Sequence, residues 1–535
     1  MTDDPIRPGH SGGSGAGRPA GDSYDAVPYQ SHAISDTDPD ALATMGVLFG
    51  MRPAAVETCR VLELGCAGAG NLVAMALPLP RARFFGVDAS PQQIEAGRAL
   101  ARRVGVENVA LTAEDLQDLP PEFSEFDYIV CHGVYSWVEP AVQEKILEIF
   151  GRHLAPQGIG YLSYNAYPGS HLRAMAREMM RFHVRNIADP IESTAQARAL
   201  LEFLKRFTQG RPGPYEKVLE YLSEHLVQEP DWYVFHEYLE EHNLPVYFSD
   251  MVARAEGHGL QYLAPARFIA WEHNLPPEIQ QAFGQFSNRV VREQYLDFLC
   301  NRMFRRTLFC RGGLAIADRP RPEAVAGLQA VARARAVAPN PDVRSDREEE
   351  FRSPAQEGFA TSRPLVKAAL MVLAQQAPRA IPMAALWPMV AAKLEGAPDA
   401  AAGPEELGRA LLDPHLSNAV ALRTWSPPLV LSPGGRPAAS PLARLQASRE
   451  EPIVNLRHET VELSDLDEVV LPLLDGTRDR AGLREAVVAA VAAGKLGIED
   501  KAGARLEDPE KIREVIASAL EESLARLAAA CLLTA

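Results

Sequence analysis

Val61-Leu-Glu-Leu-Gly-Cys-Ala-Gly-Ala-Gly-Asn71 is the stretch of sequence that decides the fold. It opens with a short apolar run typical of a buried parallel strand, continues as a small-residue turn, and then takes on helical character up to Leu77. Phe84-Phe-Gly-Val-Asp88 predicts a second strand that ends in an acid. Strand, glycine-rich turn, helix, strand and acid, in that order, predict the nucleotide-binding half of a doubly wound α/β sheet.

The turn and the strand before it distinguish between classes of nucleotide. The turn reads Gly-Cys-Ala-Gly-Ala-Gly, which does not match the Gly-x-Gly-x-x-Gly of dinucleotide sites. Glu63 stands within the first strand, where its carboxylate suits a cationic ligand and disfavours a pyrophosphate. S-adenosylmethionine carries an α-amino group and a sulfonium but no phosphate, so we expect it as the cofactor. An ordinary βα turn in an unrelated α/β protein is the alternative.

The acids after the second and third strands are the clearest cofactor candidates. Asp88 can accept both hydroxyls of a ribose. Asp115 could accept from the adenine amino group, with Glu114 as a competitor for that role and turn capping as the alternative. The segment around Tyr29 and the helix predicted over 38–49 could lie across the site as a lid, or could be packing elements. The predicted cofactor-binding residues are Tyr29, Glu63, Gly65, Cys66, Ala67, Gly68, Asn71, Asp88, Ala89, Glu114, Asp115, Cys131 and His132.

Two further loops follow the predicted fourth and fifth strands, at the edge where open α/β sheets place ligands. Cys131-His-Gly-Val-Tyr-Ser-Trp137 contains two polar aromatic residues, His132 and Tyr135, that could orient an amine or accept a proton. Asn165-Ala-Tyr-Pro-Gly169 could form the other wall of an acceptor site. The predicted catalytic residues are therefore His132, Tyr135, Asn165 and Tyr167, with loop packing as the alternative for both stretches.

Bulk properties restrict the class of protein. A chain of 535 residues is too long for one core, so two to four domains are expected. The formal net charge of -16 argues against non-specific nucleic-acid binding. The sequence predicts no membrane insertion and no signal peptide, and six scattered cysteines are typical of a reduced, cytoplasmic protein. We expect no metal site, because His236 and His242 do not have the His-Glu-x-x-His spacing.

The assembled motifs resemble class I S-adenosylmethionine-dependent methyltransferases, and more narrowly the bacterial group with a methyltransferase regulatory domain. The resemblance covers about residues 23–310. It rests on the stretches 62–71, 86–91, 126–138 and 163–169 and on Phe235-His-Glu-Tyr-Leu-Glu-Glu-His-Asn243 through Gly259-Leu-Gln-Tyr-Leu263. The chain departs from many members at Ala67, Ala69 and Ser170, where the first two positions are often glycine and the third often tryptophan.

Members of that group include protein-lysine methyltransferases that act on outer-membrane proteins. The resemblance therefore implies methyl transfer to lysine ε-amines by in-line displacement. Two other functions stay open: a small-molecule N- or O-methyltransferase, and a non-catalytic S-adenosylmethionine-binding regulator. The partner is accordingly a protein substrate or a small-molecule acceptor, and a homodimer is plausible.

The predicted fold class is α/β, with a Rossmann-like methyltransferase domain, a helical regulatory region and mainly helical, winged-helix-like C-terminal modules. Within the second of these regions, residues 245–265 are expected to rejoin the methyltransferase sheet. The predicted divisions are 1–22 as a disordered tail, 23–170 as the class I methyltransferase core, 171–320 as a helical regulatory or dimerisation region, 321–358 as a linker, 359–440 as a small helical domain and 450–535 as a winged-helix-like domain.

Overall fold

The computed structural model describes residues 31–119, 125–268, 275–353, 358–498, 506 and 508–534. The predicted tail over 1–22 and Tyr29 lie outside these residues. Nineteen α-helices are described: α1 Pro39–Leu48, α2 Gly70–Ala76, α3 Pro91–Val104, α4 Pro140–His153, α5 Ser170–Val184, α6 Pro190–Thr208, α7 Pro214–Gln228, α8 Asp231–Val234, α9 Phe248–Gly257, α10 Pro277–Gly284, α11 Arg289–Cys300, α12 Pro364–Gln376, α13 Met383–Lys393, α14 Pro404–Ala410, α15 Leu412–Leu416, α16 Pro441–Ala447, α17 Asp465–Val470, α18 Arg480–Ala492 and α19 Pro509–Ala529.

The described strands are β1 Arg60–Leu64, β2 Arg83–Asp88, β3 Val109–Ala113, β4 Phe126–Cys131, β5 Leu154–Asn165, β6 Leu260–Pro265, β7 Phe304–Arg311, β8 Gln329–Ala332, β9 Arg335–Ala336, β10 Glu349–Arg352, β11 Gly358–Thr361, β12 Ile381–Pro382, β13 Val420–Arg423, β14 Ala438–Ala439, β15 Ile453–Val454, β16 Thr460–Val461 and β17 Leu533–Thr534. Short 3₁₀ helices occupy Ser35–Thr37, Val56–Thr58, Leu116–Asp118, Tyr135–Trp137, Pro322–Gly327, Pro398–Ala401 and Leu471–Leu473, and a π-helical turn covers Phe235–Leu239.

A seven-stranded sheet in the order β3-β2-β1-β4-β5-β7-β6 forms the first part of the molecule. Strands β1 to β5 are mutually parallel, whereas β7 is antiparallel to both of its neighbours. Successive side chains of a strand point to opposite faces. Val61 therefore packs into one core with Leu72 of α2, and Leu62 packs into the other core with Ile146 of α4. The predicted doubly wound α/β sheet is confirmed.

Residues 245–265 were expected to rejoin the sheet, and within them Leu260–Pro265 forms β6, which pairs with β7, while β7 pairs with β5. Strand β7 itself was missed, because it lies inside the region predicted as helical over 171–320. Arg305 and Arg306 interrupt its apolar run and hide the strand pattern. Arg305 is nevertheless buried, and its Nε lies 2.7 Å from Oδ2 of Asp297, so the ion pair replaces water at that position.

The prediction of a plain linker over 321–358 is wrong. Strands β8, β9 and β10 lie in this stretch, and β8 pairs with β12 and β13 in a three-stranded sheet. The domain predicted as small and helical over 359–440 thus contains strands as well. Ala330 and Phe351 are buried, but the charged residues around them dominate the composition and obscured the short strands.

Separate hydrophobic cores mark the remaining modules. Helices α5, α6 and α7 bury Met180, Leu201 and Leu219 in a cluster of their own. Helices α18 and α19 bury Leu483 and Leu520 in another, at the carboxyl-terminal end. The sheet core on the α1 side, in contrast, runs on into the region around β8 and α12. Within the described residues, no helix has both the length and the apolar character needed to cross a membrane.

Candidate active site

The glycine-rich turn closes tightly between β1 and α2. Gly65 has φ +68°, and a Cβ atom there would overlap the side chain of Val134. A Cβ atom on Gly70 would overlap the backbone of Ser31, whose Oγ accepts the Gly70 N–H at 2.7 Å. The turn therefore has space for backbone only, and the chain just before α1 lies directly against it.

Asp88 ends β2 and organises the same turn. Its Oδ2 accepts the backbone N–H of Ala67 at 2.8 Å, and its Oδ1 accepts the N–H of Ser90 at 2.9 Å. Each carboxylate oxygen can accept a second hydrogen bond. The side chain is half-buried and Ala89 beside it is exposed, so a ligand could still reach this carboxylate. Ribose binding by Asp88 stays a prediction with suitable geometry.

Glu63 is buried at the end of β1 and has one free oxygen. The Nδ2 of Asn71 donates to Glu63 Oε1 at 2.6 Å, while Oε2 has no hydrogen-bond partner in the described part of the chain. Burial raises the pKa of the Glu63 carboxyl to about 7. Burial disfavours the ionised form of this carboxyl, and a cation bound against Oε2 would favour it.

Glu114 and Asp115 follow β3, and their side chains have different surroundings. Asp115 is exposed, and its Oδ1 accepts the N–H of Gln117 at 2.9 Å, which is the turn-capping arrangement. Glu114 is partly buried, and its Oε2 has no partner in the part of the chain that the structure describes. Both acids remain candidates for the adenine amino group.

S-adenosylmethionine fits these residues. A buried acceptor oxygen on Glu63 matches the α-amino group, and the half-buried Asp88 carboxylate matches the ribose hydroxyls. Because S-adenosylmethionine has no phosphate group, its site needs no cationic group to bind one. Among the described residues, no group of His, Cys, Asp and Glu has a metal-binding arrangement.

The loop after β4 contains His132 and Tyr135 in different surroundings. His132 Nδ1 lies 2.9 Å from the Tyr161 hydroxyl, and burial lowers the pKa of its imidazole to about 3. The ring is therefore neutral and a poor proton acceptor at neutral pH. Tyr135 is fully buried, and its hydroxyl accepts from Arg254 at 2.9 Å, so the geometry favours packing over catalysis. Cys131 is buried too, and burial raises the pKa of its thiol.

The loop after β5 meets the loop after β4 through Ser136, whose Oγ accepts the Asn165 N–H at 2.8 Å. The Nδ2 of Asn165 then donates to Oδ1 of Asn243 at 3.0 Å. Asn243 was not predicted as a site residue, although the motif around it was singled out. The only signal for it was that motif, because 78 residues separate the two side chains in the chain.

Tyr167 stands at the other end of this loop in a partly exposed aromatic cluster. Its ring stacks on His171 with centroids 4.1 Å apart and lies 5.3 Å from the ring of Tyr247. Tyr247 is a second residue that the sequence did not indicate. Three aromatic rings at the carboxyl end of a sheet strand form a wall suited to a cationic or aliphatic group.

Comparisons with known proteins agree with this fold. The family description "Methyltransferase domain" matches residues 61–158, "Predicted methyltransferase regulatory domain" matches 230–311, and "PKMT, C-terminal winged helix domain" matches 435–532. Uncharacterized protein RP789 of Rickettsia prowazekii is 30% identical over 506 residues, which cover 92% of this chain and 90% of that protein. Uncharacterized protein RP028 of the same organism is 39% identical over 234 residues, which cover 44% of this chain and 94% of that protein.

A solved structure is similar over nearly the whole chain. PKMT2 from Rickettsia typhi, in complex with AdoHcy, superposes with a TM-score of 0.83 at 29% identity and covers 95% of this chain and 100% of that chain. Fold, turn and acids together define a class I S-adenosylmethionine-dependent methyltransferase. The chain belongs to the family of such methyltransferases that carry a methyltransferase regulatory domain and a PKMT-type winged helix. S-adenosylmethionine is accordingly its cofactor.

Proposed function

We propose that the methyl acceptor is the ε-amine of lysine side chains in a protein. The observation that carries this proposal is the similarity to PKMT2 along the whole chain, winged helix included. The aromatic cluster of Tyr167, His171 and Tyr247 supports it, because such rings can line the path of an aliphatic, amine-tipped side chain. A small-molecule acceptor would not require the additional modules.

The bound cofactor supplies an activated methyl group, so the protein has mainly to position the amine in line with it. A lysine ammonium must first lose its proton, and an apolar aromatic wall lowers the pKa of an amine that enters it. His132 does not take that proton, because its pKa of about 3 makes it too weak a base. Asn165 is held by Asn243 and Ser136, and so presents a fixed amide beside the acceptor loop.

Methyl-labelled S-adenosylmethionine tests the proposal. The protein is incubated with soluble and membrane fractions of a bacterial lysate, and hydrolysed protein is analysed for methylated lysine. We expect acid-stable label in protein, recovered as methyl-lysine. Acetylating the lysines of the same fractions beforehand should abolish the label.

The Asp88→Ala variant is the matched enzyme control, since it loses the ribose acceptor and should neither bind cofactor nor transfer label. Label confined to small molecules would replace the lysine proposal with a small-molecule methyltransferase. Cofactor binding without any transfer would instead support a regulator. If Asp88→Ala binds AdoHcy with unchanged affinity, the cofactor site is elsewhere.

The proposal extends to a cytoplasmic location and to homodimer formation. All six cysteines are free thiols and five of them are buried, which is typical of proteins in a reducing compartment. Light scattering of the purified chain measures its mass in solution. A value near 58.4 kDa would mean a monomer and exclude the homodimer.

A further inference from the structure

A histidine of the winged-helix module reaches the cofactor turn of the methyltransferase domain. Nε2 of His458 lies 2.8 Å from Oδ1 of Asn71, although 387 residues separate the two in the chain. His458 is 2% exposed and lies in the turn between β15 and β16. The family match to the winged helix, residues 435–532, includes this position.

The amide of Asn71 has a defined orientation. Its Oδ1 also accepts the backbone N–H of Ile34 at 2.8 Å, so the atom facing His458 is an acceptor. Its Nδ2 donates to Oε1 of Glu63 at 2.6 Å and to Oγ1 of Thr37 at 3.1 Å. His458 must therefore donate through Nε2–H. Burial lowers the pKa of the imidazole to about 3, and so the ring is neutral and can be this donor at neutral pH.

The turn that carries His458 is itself anchored. The backbone of His458 has φ +60°, in the left-handed region. Oδ1 of Asn455 accepts the backbone N–H groups of Arg457 at 2.8 Å and of Glu459 at 3.1 Å. Oε1 of Glu459 in turn lies 3.2 Å from Nη2 of Arg423 in β13. Hydrogen bonds within the turn and an ion pair with β13 therefore anchor the loop that carries the imidazole.

We propose that His458 is a positioning residue for the cofactor. It holds the Asn71 amide so that Nδ2 stays on Glu63 Oε1, and this leaves Glu63 Oε2 facing the cofactor cation. The winged-helix module thereby completes the cofactor site of the methyltransferase domain. The inference concerns the cofactor alone and does not depend on lysine as the acceptor.

Two substitutions of equal length test the donor. In His458→Gln the amide nitrogen can replace Nε2–H, whereas His458→Met fills similar space without a donor. We expect His458→Met to weaken AdoHcy binding about three- to tenfold in titration calorimetry, the effect of losing one buried hydrogen bond. His458→Gln should stay within about twofold of the unsubstituted protein. When the S-adenosylmethionine concentration is varied, His458→Met should show a raised KM for that cofactor and a nearly unchanged kcat.

A double-mutant cycle tests whether the effect passes through Asn71. Asn71→Ala should weaken AdoHcy binding by itself, and adding His458→Met should then change the affinity less than about twofold. If the two substitutions weaken AdoHcy binding by factors that multiply in the double variant, the proposal is overturned. Equal AdoHcy affinities of His458→Gln and His458→Met would overturn it as well. Because either variant could fold poorly, hydrogen exchange of the unsubstituted protein is the second measurement. AdoHcy should slow amide exchange at residues 455–459, and unchanged exchange there would also overturn the proposal.

Discussion

Ala67 and Ala69 hold the cofactor turn in a conformation that favours glycine, with φ of 45° and 55°. An alanine in the left-handed region costs roughly 1–2 kcal/mol, because its Cβ approaches the following carbonyl oxygen. The N–H of Ala67 nevertheless donates to Asp88, so the strained conformation serves the site. The turn stores backbone strain where the ligand is expected.

Ala67→Gly should therefore stabilise the protein. The relieved strain exceeds the entropy that glycine adds to the unfolded chain, about 0.4–1 kcal/mol, and the net gain is up to about 1 kcal/mol. Thermal unfolding would show a higher midpoint. Ala96→Gly, an exposed helical position in α3, is the control and should lower the midpoint. Equal destabilisation by both substitutions would contradict the strain at Ala67.

Because the pKa of the Glu63 carboxyl is raised, we expect cofactor binding to depend on pH. Burial raises the pKa of its carboxyl to about 7 in the free protein, and a bound cation favours the ionised form. Affinity for AdoHcy is thus full above pH 7 and falls as the carboxyl is protonated below it, by about tenfold at pH 6. Calorimetric titration between pH 6 and 8 measures this.

The Glu63→Gln variant provides the control for that titration. It should bind AdoHcy more weakly at every pH and lose the slope between pH 6 and 8. Asp38 also has its pKa raised to about 7, by burial and by Asp40, so a slope that persists in Glu63→Gln would assign the effect elsewhere. His458 does not titrate in this range, since its pKa is about 3.

Among the elements, α1 contacts a part of the chain that lies 384 positions further on. Asp40, 1% exposed, accepts at Oδ1 from the backbone N–H groups of Thr424 at 2.8 Å and Trp425 at 2.7 Å. Its Oδ2 lies 3.1 Å from Nη1 of Arg423, which also contacts Glu459. One buried ionic network therefore ties α1, β13 and the turn that carries His458 into a single arrangement around the cofactor loop.

Asp40→Ala should destabilise the protein by about 3 kcal/mol, because the buried Arg423 cation loses a partner and two N–H groups lose their acceptor. The remaining contacts of Arg423 with Asp38 and Glu459 keep the loss near the lower end for buried pairs. Denaturant unfolding measures the effect. Glu95→Ala removes an exposed pair with Arg102 and should leave the midpoint unchanged. A midpoint for Asp40→Ala equal to that of Glu95→Ala would show that the network does not contribute.

At the scale of the whole molecule, the helical unit α5–α7 has a core apart from the sheet. Leu219 of α7 is fully buried in that core, whereas Leu72 of α2 belongs to the sheet core. Local units with separate cores can unfold at different free energies. Asn165 meets Asn243 near this unit, so its loosening should affect the acceptor site before the cofactor site.

Leu219→Ala should cost about 2–5 kcal/mol locally and speed amide exchange across residues 170–228. AdoHcy affinity should stay within about twofold, while methyl transfer falls. Leu72→Ala provides the comparison, because it removes a side chain from beneath the cofactor turn and should weaken AdoHcy binding directly. Loss of cofactor affinity in Leu219→Ala would mean that the two cores unfold together.

The first five strands could be predicted because their signals are local, and the two main acids proposed for the cofactor site lie in two of these strands. Val61 to Leu64 is an apolar run bounded by a glycine turn, and Glu63 and Asp88 follow from where those strands end. Strand β7 and the strands of 321–358 were missed for the opposite reason. Arg305 of β7 is neutralised by Asp297, a partner on another element, and isolated sequence windows do not show such pairing.

By itself the sequence determined the α/β class, the cofactor turn and the methyltransferase family, since these depend on residues a few positions apart. Only the tertiary structure decided that Tyr135 is buried, that Asn165 pairs with Asn243, and that His458 reaches Asn71. Backbone propensity and hydrophobic period act over a few residues, whereas these contacts span 78 and 387 positions. They form only when packing brings distant modules together, and no local pattern encodes which side chains then meet.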